Sequence, residues 1–265
     1  PPRSTLFPYT TLFRSNAMLN GGNATGATGN GGTVSTSAEV YFYGHAKNTD
    51  VSVTSQGGTG SAAGSGGSGG DFYMEVYGDY TSSRANFVMH GGNGGTNGGD
   101  AGEAYWDVYN DVNGVVATAS GNGGNGGTGN GGTGFDFEIY AYGDVSNYSA
   151  TVNTVGGNST SATGGRGGDC YVYSGDSYYG DMNNVRFNTT THGGAGGTTG
   201  GRGGYNELYA YGNAWNLDLD FVANGGTGTT TGGSADGVYV YIYGDAVNVN
   251  LLSTNNGGNG GTTGG

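Results

Sequence analysis

Short stretches of this chain alternate with period 2. On one side stand Val40 and Phe42; Phe72, Met74 and Val76; Trp106 and Val108; Phe137 and Ile139; Leu208; Val240 and Ile242. Between them stand Tyr41 and Tyr43, Tyr73 and Tyr77, Glu138 and Tyr140, Glu207 and Tyr209, Tyr239 and Tyr241. One apolar and one polar side is the mark of a half-buried strand. The stretches close on a tyrosine followed by Gly-Asp or a near variant. The aligned tyrosines are Tyr43, Tyr77, Tyr109, Tyr142, Tyr179, Tyr211 and Tyr243, spaced 34, 32, 33, 37, 32 and 32 residues apart. Eight residues past each comes an apolar side chain (Val51, Ala85, Ala117, Ala150, Phe187, Leu219, Leu251), which predicts a second strand on the same core.

The connection between the strands reads as a Gly-Asp-x-x-Asn turn. Glycine, or Asn110 in one copy, follows the tyrosine and suits a positive φ. Next come Asp79, Asp111, Asp144, Asp181 and Asp245, with His45 and Asn213 as exceptions; Asn48, Asn147, Asn184, Asn216 and Asn248 stand five past the tyrosine. Such side chains cap local backbone groups. Copy five, "DCYVYSGDSYYGD", carries a four-residue insertion near Ser174 to Ser177.

In every copy a Gly-Gly pair begins 14 residues after the tyrosine: Gly57, Gly91, Gly123, Gly156, Gly193, Gly225 and Gly257. Stretches such as "GGNGGTGNGGTG" (123–134) approximate Gly-Gly-x triplets. A three-residue period fits a polyglycine-II-like arm, and it also fits a flexible linker.

One unit cannot bury its apolar side, whereas a stack of units can. The expectation is an all-β repeat array over 16–265: a parallel β-solenoid of about seven strand–turn–strand units with glycine-rich arms. Its parallel columns repeat at about 4.8 Å. The rival is a row of antiparallel β-hairpins with a polyglycine layer, in which Val240 faces Leu251 and Trp106 faces Ala117. The chain reads as truncated at both ends, with "NAMLNGG" (16–22) as the tail of an earlier copy and "GGNGGTTGG" (257–265) opening another.

Composition narrows the function. Of 265 residues, 64 are glycine and 21 tyrosine, while only 33% are hydrophobic, so tyrosine must supply much of any burial. "TLFPYTTLFRS" (5–15) resembles a translated DNA-sequencing adapter, and residues 1–15 are set aside as non-native. The formal charge is −13; leaving out Arg3 and Arg14 changes 7 basic residues to 5 against 20 acidic, a net −15. That excess argues against nucleic acid as a partner. No stretch reaches the roughly 18 apolar residues of a membrane span. Cys170 is the single cysteine, so no disulfide forms within the chain.

Catalytic signatures are missing: there is no Ser-His-Asp order, CxxC or HExxH, and the expectation is no enzyme. His90 and His192 share a column in separate copies, too far apart to share a metal. The tyrosine and carboxylate side is the candidate ligand surface, with Tyr73, Tyr105, Tyr140, Tyr209 and Tyr241 as candidate glycan-binding residues, unless the rings pack on one another or under the arms.

The candidate metal column is Asp79, Asp111, Asp144, Asp181 and Asp245. At ladder spacing neighbouring charges repel by roughly 0.9 kcal/mol in water, which bridging calcium would relieve. "GGSGGDFYM" (66–74) and "GGRGGDCYV" (164–172) resemble the calcium-binding nonapeptide G-G-x-G-x-D-x-U-x, as isolated copies rather than the tandem array that family uses. Thr-rich arms resemble ice-binding surfaces, although arms of unequal length disturb a flat lattice.

In repeat style the chain from 16 to 265 resembles glycine-rich repetitive surface proteins and adhesins of bacteria. That resemblance implies a non-enzymatic extracellular or cell-surface structural or adhesive protein (a stalk, fibre or adhesin segment), with self-association end to end and glycans or a cell surface as partners. A glycan-binding module is the alternative.

Overall fold

The computed structural model describes residues 13–175 and 179–265. The non-native segment expected at 1–15 therefore lies mostly outside the described residues; Phe13, Arg14 and Ser15 open the strand Phe13–Asn20, which pairs with Thr49–Gln56.

The described residues form two parallel sheets. One is built in chain order from Ala38–Phe42, Phe72–Val76, Glu103–Val108, Asp136–Ala141, Cys170–Ser174, Asn206–Ala210 and Val238–Ile242. The other runs Phe13–Asn20, Thr49–Gln56, Arg84–His90, Val116–Asn122, Val145–Val155, Met182–His192, Ala214–Asn224 and Ala246–Asn256. Consecutive members of either sheet lie one copy apart, so the chain is a β-solenoid of about seven coils. Every strand ladder among the described residues is parallel, which rules out the row of antiparallel hairpins. A polar-in, apolar-out slip would follow from any one-residue error in register, so the alternating pattern itself fixes the pairing.

The core is the thin layer between the sheets. Phe72, Met74, Val76, Trp106, Phe137, Ile139 and Leu208 are buried from one side; Val51, Ala85, Phe87, Ala117, Ala150, Phe187 and Leu219 meet them from the other. Rings interlock within it: Phe87 lies 5.1 Å from Phe72 and 5.5 Å from Trp106, whose indole meets Tyr80 edge-on at 5.9 Å. Leu251 departs from its column, being 46% exposed, because it sits on the last coil of the stack.

The turn differs from expectation in a way that explains two columns. Positive φ falls five residues after the tyrosine, at Asn48, Ser82, Gly114, Asn147, Asn184, Asn216 and Asn248. Glycine and asparagine are the residue types that tolerate left-handed backbone; Ser82 takes it in one copy. In the middle coils the glycine after the tyrosine is selected by space instead, whereas Gly44 in the first coil has open space around it and Gly180 has a φ of 153°. A Cβ on Gly143 would lie 2.3 Å from Asp111 Oδ1, and one on Gly212 2.3 Å from Asp181 Oδ1.

Copy five keeps register on both sides of its insertion, with Ser174 opposite Ala210 and Met182 opposite Ala214. Gly175 donates to Ala141 O as Tyr142 donates to Val108 O, so it occupies the tyrosine's place. The extra residues thus fall within 175–179, and 176–178 lie outside the described residues.

The glycine arms are ordered, which overturns the flexible-linker reading. Each arm leaves the long strand, turns, and returns to the tyrosine strand. Amides of both limbs donate to the next coil: Gly123 to Val155 O at 2.9 Å, Gly131 to Thr163 O at 3.0 Å. A second set crosses between limbs and coils. Gly99 donates to Gly92 O, Gly124 to Gly99 O, Gly132 to Gly124 O, Gly157 to Gly132 O and Gly165 to Gly157 O, all at 2.7–2.9 Å. The zigzag runs unbroken from Gly22 to Gly265. Backbones this close leave no room for side chains: a Cβ on Gly132 would lie 2.0 Å from Gly99 O.

Candidate functional site

Strand geometry sends alternate side chains to opposite faces, so each residue that does not enter the core points to solvent. On the short-strand sheet this produces three columns along the solenoid axis. The middle one reads Tyr41, Glu75, Asp107, Tyr140, Tyr173, Tyr209, Tyr241; the column two residues earlier reads Glu39, Tyr73, Tyr105, Glu138, Tyr171, Glu207, Tyr239. Wherever one column carries an acid, the other carries a tyrosine in the same strand. The third column is Tyr43, Tyr77, Tyr109 and Tyr142, then Gly175, Tyr211 and Tyr243.

The rings stack from coil to coil. Tyr140, Tyr173, Tyr209 and Tyr241 follow one another at 4.4, 4.7 and 4.5 Å between centroids. Tyr77, Tyr109 and Tyr142 follow at 5.0 and 5.1 Å, with planes 6° and 9° apart. Tyr105 links the columns, 5.5 Å from Tyr73 and 5.3 Å from Tyr140. Of the candidate ligand residues, Tyr140, Tyr209 and Tyr241 therefore share one column, Tyr73 and Tyr105 the adjacent one, and all five share a face. The rings pack on one another rather than under the arms. Tyr109 and Tyr142 are each 41% exposed, so ring faces are covered by neighbours while edges and hydroxyls meet solvent.

Carboxylates thread this face as acceptors. Tyr73 and Tyr105 each donate to Asp107 at 3.2 Å, Tyr173 to Glu207 at 3.5 Å and Tyr41 to Glu39 at 3.1 Å. Glu75 takes Tyr77 and Tyr109. The hydrogen bond to Glu75, then burial, pushes the Tyr109 phenol up to about 12; burial and the Glu207 charge do the same for Tyr209, also to about 12. Burial likewise raises Asp107, Glu138 and Glu207, with their phenol donors pulling the other way. At neutral pH the phenols are therefore neutral donors.

The candidate metal residues form the column expected of them, but the oxygens of Asp111, Asp144 and Asp181 serve the backbone, and Asp79 lies 3.1 Å from His45 Nδ1. Asp144 N–H donates to Asp111 Oδ1 at 2.9 Å, Asp181 N–H to Asp144 Oδ1 at 2.8 Å, Asn213 N–H to Asp181 Oδ1 at 2.6 Å and Asp245 N–H to Asn213 Oδ1 at 2.9 Å. At the start of the row, Asp79 N–H donates to His45 Nδ1 at 3.0 Å. The side chains of His45, Asp111, Asp144, Asp181 and Asn213 cap the next coil, not their own turn as the sequence suggested. Among the described residues no group of three His, Cys, Asp or Glu side chains stands close enough to hold a metal. The two nonapeptide-like segments are likewise engaged: Asp71 Oδ1 accepts Glu103 N–H at 3.0 Å, while Asp169 pairs with Arg166 and accepts Tyr205 N–H at 2.7 Å.

Two features escaped the sequence reading. Hydroxyls inside the core tie the returning glycine limb to the long strand: Gly70 N–H donates to Ser55 Oγ, Gly168 to Thr154 Oγ1 and Gly204 to Thr191 Oγ1. Their signal was the break in apolar alternation four residues past the conserved core column. Arg166 and Arg202 converge on Asp236, whose side chain is 2% exposed, and Arg166 also lies 5.1 Å from the Tyr205 ring centre. The repeated "GGRGG" (164–168 and 200–204) was the visible trace of that network.

Among the described residues no helix is long and apolar enough to cross a membrane. No family model matches this chain, and no curated protein or solved structure matches it either.

Proposed function

We propose that this chain is a rigid, non-catalytic segment of an extracellular structural or adhesive assembly (a stalk, fibre or adhesin repeat) whose contact surface is the tyrosine and carboxylate face. The observation that carries this reading is how the repeated side chains are used. Aspartate, asparagine and glycine columns bond one coil to the next, while the tyrosine columns present stacked phenol edges interleaved with carboxylates along one face. A surface of phenol edges and carboxylates about 4.8 Å apart suits many weak hydrogen bonds to a polar surface. High glycine, asparagine and threonine content with few lysines fits a hydrated scaffold outside the cell.

Selective sugar recognition is the competing class. Stacking on a sugar needs a free ring face, and here neighbouring rings cover those faces at 4.4–5.1 Å along both main rows. The test pairs a glycan array with detachment of chain-coated beads from several polar surfaces. Adhesion across surfaces, reduced in Tyr209→Ala and Tyr241→Ala, is expected. Selective micromolar binding of one sugar, lost in the same variants, would replace the scaffold reading with a glycan-binding module.

A further inference from the structure

We propose that the tyrosine face is a one-electron oxidation site at which a peroxide-driven oxidant joins two copies of this chain through carbon–carbon bonds between tyrosine rings. This chemistry does not depend on the face adhering to anything. Three observations carry it. Rings lie 4.4–4.7 Å apart along Tyr140, Tyr173, Tyr209 and Tyr241, close enough for an oxidised ring to exchange an electron with its neighbour. Proton acceptors are in place, since Asp107 takes hydrogen bonds from two phenols and Glu207 from Tyr173. Stacking also decides where coupling occurs. Bond formation needs ring edges to meet, and neighbours within one face meet by their planes, 7° apart for Tyr140 and Tyr173.

The oxidant removes one electron from a ring, and the phenolic proton passes to the bonded carboxylate, leaving a phenoxyl radical. Two such radicals on facing copies form a bond between carbons ortho to oxygen. Each ring then moves the hydrogen from that carbon to its oxygen and becomes a phenol again. Two electrons and two protons leave in all, and they reduce one hydrogen peroxide to two waters. A second copy is the fitting partner because its rows repeat at the same spacing, about 4.8 Å, so one register brings many edges together. Tyr80 and Tyr148, buried in the core, cannot take part.

The full chain is treated with a haem peroxidase and hydrogen peroxide, with N-acetyltyrosinamide at equal phenol concentration as reference. Dityrosine fluorescence should rise severalfold faster than in the reference, with covalent dimers on denaturing gels and cross-links mapped by mass spectrometry to the tyrosine face. Asp107→Asn and Glu207→Gln should slow coupling severalfold. Should those variants misfold, Tyr173→Phe with Tyr209→Phe keeps the stack, and should lower the yield by more than the share of two phenols. A rate no higher than the reference, cross-links confined within single chains or mapped elsewhere, or variants as fast as the parent would each overturn the proposal.

Discussion

Asn184 shows how a single residue serves both turn and stack. Its φ of 54° places it in the left-handed region, and its Nδ2 donates to Asn147 Oδ1 one coil earlier at 2.8 Å. Asn184→Ala should lose that bond and incur the left-handed penalty, lowering stability by about 1–2 kcal/mol. Asn184→Gly keeps the backbone at ease and should cost under about 1 kcal/mol in the same denaturant titration. The asparagine column was legible in the sequence, but its φ was assigned to the preceding glycine. A glycine forced by a neighbour's oxygen looks the same in sequence as one forced by φ.

Asp136 carries a second residue-scale expectation. Burial, with Asp169 and Glu103 nearby, raises its carboxyl from 3.8 to about 6. The folded chain therefore holds this proton between about pH 4 and 6 while the unfolded chain has lost it. The contribution to stability is fully present below pH 4 and is lost as pH rises through 6. Asp136→Asn keeps an oxygen for Asp169 N–H, so its stability curve should lose this slope, which urea melts across pH 3.5–7 would reveal.

At the scale of elements, the glycine arms and tyrosine rows act as additional layers of the sheet. Gly132→Ala drives a Cβ into Gly99 O and should destabilise by ~3 kcal/mol or more, whereas Gly44→Ala, with open space around it, should stay within about 0.5 kcal/mol. Equal denaturation midpoints for the two variants would count against the zigzag. In the tyrosine row, Tyr173 stacks on both Tyr140 and Tyr209. Tyr173→Ala should therefore forfeit two ring pairs at ~0.5–1.5 kcal/mol each.

Strand placement and face were readable because Phe137 and Ile139 alternate with Glu138 and Tyr140. Arm order was not, since the zigzag between its limbs runs from backbone to backbone and glycine carries no pattern of its own. The same limit hid the hydroxyls of Ser55, Thr154 and Thr191, whose purpose appears only when the returning limb is in place. The candidate tyrosines were placed on the correct face. Their mutual coverage depends on in-register stacking, which strand periodicity alone cannot distinguish from hairpin pairing.

For the whole molecule, each coil touches mainly the next, so stability is a sum of coil and interface terms. The aspartate column belongs to that scale because oxygens of Asp111, Asp144 and Asp181 hold coils together. Thermal melts in calcium and in chelator, at matched ionic strength, should coincide; a clear rise with calcium would mean the column opens to bind it.

The fifth coil bears on how such a chain can change. Four extra residues between Ser174 and Gly180 leave the ladders on either side in step, Ser174 with Ala210 and Met182 with Ala214. The corner beside the tyrosine row is thus a permissive slot, where length can vary without disturbing the periodic body. A foreign peptide grafted there would be carried at a fixed position along the axis. Lineages of this scaffold could acquire new specificities by loop exchange at one corner while the repeat itself stays under strict constraint.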